Sequence, residues 1–275
     1  MLNNKMKKVK IILITGASSG IGWEILNDLR RQGHKVIGTS RNKSFVESNE
    51  DFVLLDLSNS TDIEKSVEEI HLQYGEIDVL INNAGYGLAG PIEETSVEEA
   101  QEQFDINFFS VIRMIKAILP SMRKRKKGLI INIGSVGGLI GMPFQAYYSS
   151  SKFALQGFIE ALRIELSPFN IKATNILPGD IKTSFNKNRK VSQAFSDIYR
   201  ENYDNAMAQY LKDELSGLPS SAVANVVSRI IDRSDKNPKV NYIVSNYLQK
   251  LFIFLKSIMS GRSYEWTLKI LYKQV

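Results

Sequence analysis

Three side chains in one short stretch carry the chemistry available to this sequence. From Gly134 to Lys152 the chain reads GSVGGLIGMPFQAYYSSSK and holds Ser135, Tyr148 and Lys152. Tyr148 and Lys152 stand four residues apart, the spacing that stacks two side chains on one helix face. A phenol titrates near roughly 10, so proton transfer from it near neutrality needs a shift of about three units, on the order of 4 kcal/mol. A Lys152 ammonium alongside supplies a shift of that sign, because positive charge favours the phenolate. Ser135 adds a hydroxyl for the oxygen of a reacting carbonyl. Such a Tyr/Lys pair occurs on many amphipathic helices, so it gains catalytic meaning only if the chain also builds a nucleotide site.

The elements that position these residues alternate strand and helix. Val9 to Ile14 is a short apolar run suited to a parallel strand buried on both faces. It enters TGASSGIG, Thr15 to Gly22, and then a helix with Ile21, Ile25, Leu26 and Leu29 on one face. Gly16, Gly20 and Gly22, with Ser18, Ser19 and Ile21 between them, form a turn whose backbone can approach a pyrophosphate, met by free N–H groups at the helix start. Lys35 to Thr39 is the second strand and ends at Ser40-Arg41. No acid stands there to take a ribose 2'-hydroxyl, and an arginine suits a 2'-phosphate, so NADP(H) is expected over NAD(H). Phe52 to Leu55 precedes Asp56-Leu57 and a helix from about Thr61 to Gln73. Asp78 to Ile81 runs into Asn82-Asn83-Ala84-Gly85, at the strand end where open α/β sheets bind ligands.

A long helical region, about Ser96 to Lys126, contains Asn107 and ends in the basic run Arg123 to Lys127. Cations at a helix C-terminus offset the macrodipole, and nucleic-acid binding would want aromatics interleaved with them, so no nucleic-acid partner is expected. Gly128 to Ile133 is the fifth strand and delivers Ser135. The helix carrying Tyr148 and Lys152 extends to about Leu166. Ile171 to Leu177 is a sixth strand, ending at Pro178-Gly179-Asp180-Ile181-Lys182-Thr183. Residues 184–217 are polar with scattered aromatics and break the rhythm, as a lid, a substrate wall or surface decoration does. Ser220 to Ile231 is a helix, Val240 to Val244 the last strand, and 245–275 a tail with amphipathic pieces at Tyr247 to Met259 and Tyr264 to Tyr272.

With 275 residues, 43% of them hydrophobic, one domain over 1–244 is expected, with the tail as an extension. There is no cysteine and only His34 and His71, so neither disulfides nor a metal centre is expected. The N-terminal apolar run is too short for a signal peptide and no stretch is long enough to span a bilayer, which points to the cytoplasm. A formal charge of +6 suits nucleic acid, an anionic membrane or a phosphorylated cofactor without choosing among them.

In combination these motifs resemble the short-chain dehydrogenase/reductase family, from about Val9 to Val244. The matching parts are TGASSGIG, Asn82 to Gly85, Asn107, Ser135 with Tyr148 and Lys152, and Pro178-Gly179 with Ile181 and Thr183. The resemblance implies a doubly wound, Rossmann-type three-layer fold around a seven-stranded parallel sheet. It implies a nicotinamide dinucleotide along the strand ends, with Asp56 and Leu57 near the adenine, Asn83, Ala84 and Gly85 beside the adenosine ribose, and Pro178 to Thr183 closing over the nicotinamide. In that scheme Tyr148 is the general acid or base and Lys152 lowers its pKa while holding the nicotinamide ribose. Ser135 binds the substrate oxygen, and Asn107 positions a water linking Lys152 to solvent.

The expected reaction interconverts an alcohol and a ketone or aldehyde, on a bulky apolar, lipid- or steroid-like substrate. A 3-oxoacyl thioester reductase and a non-catalytic cofactor-sensing protein are the alternatives. A homodimer or homotetramer is expected. The tail's apolar stripe with basic punctuation suits packing on its own domain first, because most apolar helical stripes are buried, and then a neighbouring subunit, the substrate entrance or peripheral contact with an anionic membrane.

Overall fold

The computed structural model describes residues 8–183, 185 and 189–272. The charged start of the chain, Ser184 at the head of the polar segment and Lys273 in the tail lie outside the described residues. Seven parallel strands form one sheet: β1 (Ile11–Ile14), β2 (Lys35–Ser40), β3 (Phe52–Leu54), β4 (Val79–Asn82), β5 (Gly128–Ile133), β6 (Ile171–Pro178) and β7 (Asn241–Val244). Their spatial order is β3-β2-β1-β4-β5-β6-β7. The order reverses between β1 and β4, where the chain leaves crevices at the strand ends.

The period of two in the strands sorts side chains into two cores. Ile12, Ile14, Val79, Ile81, Leu129 and Ile131 join Ile25, Leu26 and Leu29 of α1 (Gly20–Arg31) and Val223, Val227 and Ile231 of α8 (Ser220–Asp232). Leu13, Leu80 and Ile130 face the other way, toward α3 (Ser60–Tyr74), α5 (Ser110–Arg125) and α6 (Ala146–Leu166). Each such side chain, fully buried, contributes about 1.5–3 kcal/mol, so the apolar strand runs fix a three-layer stack. A short helix, α2 (Lys43–Glu47), precedes β3.

Three expectations change. The long helix before β5 is interrupted: α4 (Val97–Phe104) and α5 are joined by a π-helical turn, Asp105–Phe109, that contains Asn107. The polar segment after β6 is mostly a helix, α7 (Arg200–Ser216), with Tyr203, Ala206 and Tyr210 buried at helical spacing. The tail forms α9 (Tyr247–Lys256), which starts at the expected residue under an Asn246 cap and ends sooner, and α10 (Gly261–Leu271), which starts earlier than expected because Ser260 caps its first turn. Tyr272 and Leu268 pack on Tyr210 and Met207 of α7 with Met142 and Phe144. Among the described residues no helix is long and apolar enough to cross a membrane.

Candidate active site

A cleft of about 1650 Å³ runs along the C-terminal ends of β1, β2, β4, β5 and β6. Its floor begins at the turn after β1. Gly16 (φ +61°) and Gly20 (φ +57°) take left-handed backbone, and a Cβ on Gly16 would come 2.9 Å from Ala84 Cα. Thr15 locks this turn to the one after β4: its Oγ1 accepts the backbone N–H groups of Asn83 (3.0 Å) and Ala84 (3.1 Å). Asn83 returns the tie, its Nδ2 donating to the carbonyls of Thr15 (3.0 Å) and Gly16 (2.9 Å). Ser19 at the α1 N-cap makes no side-chain cap and the first turn holds no acid, so its N–H groups remain available for an anion.

Ser18, Ser19, Gly20 and Ile21 line the cleft with Gly16. Ser40, Arg41, Asp56 and Leu57 line its far end, and Asn83, Ala84 and Gly85 its middle. Gly22 does not line it: a Cβ there would sit 2.4 Å from Asn83 Nδ2, so that glycine serves the packing of α1 against the β4 turn. Arg41 is exposed, and its charge helps hold the Asp56 carboxyl below its usual range, after the larger effect of hydrogen bonds from the Ser58 N–H and hydroxyl.

At the other end Ser135, Tyr148 and Lys152 converge, with Pro178, Gly179, Ile181 and Thr183 opposite. Ser135 Oγ accepts the Gly137 N–H at 3.0 Å, and both Ser135 and Tyr148 line the cleft. Burial pushes the Tyr148 phenol up, opposed by the Ser135 hydroxyl and then by Arg189. The Lys152 contribution expected from spacing is not among the opposing groups. Its ammonium lies 5.8 Å from the Tyr148 ring centroid, donates to the Ile133 carbonyl at 3.3 Å, and is itself pushed down by burial to about 8. Helical spacing brought the two side chains together, and the nitrogen's hydrogen bond goes to the Ile133 carbonyl.

Asn107 is buried and does not line the cleft. Its Oδ1 accepts the Tyr86 N–H (3.1 Å), and its Nδ2 donates to the Tyr86 carbonyl (3.0 Å) and Ser151 Oγ (3.2 Å). The π turn thereby ties the loop after β4 to α6. A Cβ on Gly85 would lie 3.0 Å from Asn107 Oδ1 and 3.7 Å from Lys152 Nζ, so this glycine keeps a gap between the two. Beneath the site Asn82, Asn132 and Asn175 stand in register across β4, β5 and β6, with Asn82 Nδ2 donating to Asn132 Oδ1 at 2.8 Å.

The polar segment, for which the sequence allowed a lid, a substrate wall or surface decoration, supplies a wall of the cleft, but sequence reading did not single out its charged side chains. Asp180, Phe185, Arg189 and Glu214 line it, and the Phe185 ring lies 5.9 Å from the Tyr148 ring. Arg189 Nη2 donates to Glu214 Oε1 at 3.0 Å, with both side chains largely buried. A signal was present: Tyr203, Ala206, Tyr210 and Glu214 fall on one face of a helical repeat, which puts a carboxylate in an apolar stripe. Among the described residues no cluster of His, Cys, Asp and Glu suits a metal.

Residues 10–194 match the family model described as short chain dehydrogenase. The chain is 40% identical over 265 residues to a 3-ketodihydrosphingosine reductase of Bacteroides thetaiotaomicron, covering 96% of this chain and 98% of that one. It is 40% identical over 190 residues to retinol dehydrogenase 8 of Bos taurus, covering 64% of this chain and 60% of the relative. The crystal structure of a short-chain dehydrogenase from Streptomyces avermitilis superposes with a TM-score of 0.80 at 28% identity, covering 98% of both chains.

Proposed function

The protein belongs to the short-chain dehydrogenase family and is an oxidoreductase of the NAD(P) class; from this we propose that it uses NADP(H) to reduce a long-chain ketone, a 3-keto sphingoid base. The observation that carries the reading is the likeness to the 3-ketodihydrosphingosine reductase over 96% of this chain, which reaches past α7 and into the tail. The cleft suits the dinucleotide: the left-handed glycines bring backbone close, the uncapped α1 terminus meets a pyrophosphate, and Arg41 offers charge-assisted hydrogen bonds to a 2'-phosphate. When bound, the cofactor supplies the hydride.

The chain's own residues handle the proton and the geometry. Tyr148 donates its phenolic proton to the ketone oxygen as that oxygen gains negative charge, and the Ser135 hydroxyl, on the same cleft wall, donates to that oxygen and holds it in place. Lys152 offers its ammonium to the ribose, and the gap that Gly85 leaves beside Asn107 Oδ1 suits a water returning a proton from solvent. Pro178 to Thr183 cover the nicotinamide end.

The test follows NADPH absorbance with 3-ketodihydrosphingosine as substrate. Tyr148→Phe is expected to lower turnover about 10²-fold or more while cofactor binding persists. Tyr147→Phe, whose hydroxyl donates to the Ile92 carbonyl at 3.2 Å, stays within a few-fold of wild type. Near-normal turnover in Tyr148→Phe, or faster turnover of retinal or a 3-oxoacyl thioester than of the keto base, sinks the assignment.

A second observation bears on where the substrate comes from. Tyr247, Leu248, Leu251, Phe254 and Leu255 of α9, with Ile258 in the turn after it, form one outward face, with exposures from 36% at Leu255 to 76% at Tyr247. The opposite face is anchored, Phe252 against Tyr264 and Lys256 on the Leu139 carbonyl of the loop after Ser135. Apolar residues outward, with Lys250, Arg262 and Lys269 nearby, suit a helix in the interface of an anionic bilayer, which would deliver a lipid beside Tyr148. A cytoplasmic enzyme held peripherally, as a homodimer or homotetramer, is the form we carry forward.

A further inference from the structure

The wall formed by Asp180, Arg189 and Glu214 is unusual for a cleft meant for an alkyl chain. Arg189 bonds one oxygen of Glu214, while the other oxygen, Oε2, and Arg189 Nε are both buried without a hydrogen-bond partner. The Arg189 side chain is nine-tenths buried. A pair serving stability alone is expected to have its remaining donors and lone pairs satisfied, because each orphan keeps its full desolvation cost. The charges that act on Glu214 are one cation, Arg189, against two carboxylates, Asp180 and Asp213. Negative charge is therefore in excess. Burial raises the Asp180 carboxyl to about 6, with the Asp213 charge adding to it, and the Glu214 carboxyl to about 7, where Asp180 and Asp213 add to it and Arg189 opposes. Arg189 and Glu214 line the same cleft as Tyr148, and the charge of each reaches its phenol.

We propose that Glu214 and Asp180 form a subsite for a protonated amine carried next to the substrate's ketone, so that the enzyme selects long-chain amino ketones over ketones that lack the amine. An ammonium there supplies the missing positive charge and the N–H donors that Glu214 lacks, while Arg189 holds the carboxylate in place. Gln249, on α9, donates to Asp180 and thereby sets the second carboxylate. The inference rests on the keto sphingoid base reading and sharpens it: the ketone meets Tyr148, the amine meets Glu214, and the chain leaves toward α9.

The test measures binding, so it needs no turnover. The probes are a shortened, water-soluble 2-amino-1,3-diol and the same 1,3-diol lacking the amine, titrated calorimetrically into the full chain with NADP bound. Wild type is expected to bind the amine about tenfold or more tightly, and Glu214→Gln to bring that ratio close to one. Asp180→Asn, which can keep its bond to Gln249, is expected to narrow the ratio too and serves if Glu214→Gln does not fold. Equal affinities in wild type, or a ratio that both substitutions leave intact, overturn the subsite. Loss of the keto base reaction with the amine preference retained would instead sink the reductase reading and leave the subsite standing.

Discussion

Replacing Thr15 by valine keeps the shape of a buried residue and removes one oxygen on which two loops depend. Thr15 is 2% exposed, and its Oγ1 accepts the N–H groups of Asn83 and Ala84 at 3.0 and 3.1 Å. In Thr15→Val both donors lose their partner, at about 1–3 kcal/mol each when fully buried. Asn83 and Ala84 are only half-buried at the cleft floor, so water recovers part of this, and a total near 2 kcal/mol is expected. For a chain of this size that lowers Tm by roughly 4–8 °C. Thr15→Ser keeps the acceptor and loses one methyl, about 0.8 kcal/mol. Urea denaturation of the three proteins measures the stability, and NADPH titration measures the site. Because Asn83 also clamps the Gly16 carbonyl, Thr15→Val should weaken cofactor binding several-fold while Thr15→Ser does not. A Thr15→Val protein as stable as Thr15→Ser, with unchanged cofactor affinity, would refute the idea that this hydroxyl joins the two turns.

Other outcomes follow from the same geometry. Arg41→Ala should weaken NADP(H) by tenfold or so and leave NAD(H) nearly unchanged, as read by competitive titration; equal affinities of wild type for the two cofactors would sink the 2'-phosphate assignment. Asp180 and Glu214 have folded pKa values of about 6 and about 7 against ordinary values of 3.8 and 4.5. The folded state therefore binds more protons between these limits, and their contribution is present in full at low pH and is lost as pH rises through 6 to 7. Glu214→Gln should flatten the fall in stability across that window, and an unchanged slope in urea melts at a series of pH values would show that Glu214 titrates normally. Phe254→Glu together with Leu248→Glu, on the outward face of α9, should abolish co-sedimentation with anionic vesicles and spare turnover of a soluble short-chain ketone. Wild type remaining in the supernatant at low salt would dismiss the membrane reading.

What the sequence determined by itself is whatever depends on near neighbours along the chain. Strand runs such as Ile11 to Ile14 are apolar because both faces are covered, and that pattern is readable without knowing what covers them. The glycine turn and the Tyr148 and Lys152 pair are local for the same reason: backbone freedom and helical repeat act over a few residues. Gly22 shows the limit, since its spacing looks like cofactor chemistry while its actual neighbour is Asn83, 61 positions away. Tertiary structure alone decided how the ends of separate elements meet. It turned Lys152 toward the Ile133 carbonyl, put Asn107 in a π turn against Tyr86 and Ser151, and left the outer stripe of α9 uncovered. It also brought Asp180, Arg189 and Glu214 together from a strand end, a loop and a helix. The helical stripe of Tyr203, Ala206 and Tyr210 marks Glu214 as inward-facing, but the burial and charge that raise the two carboxyls come from contacts between segments distant in sequence.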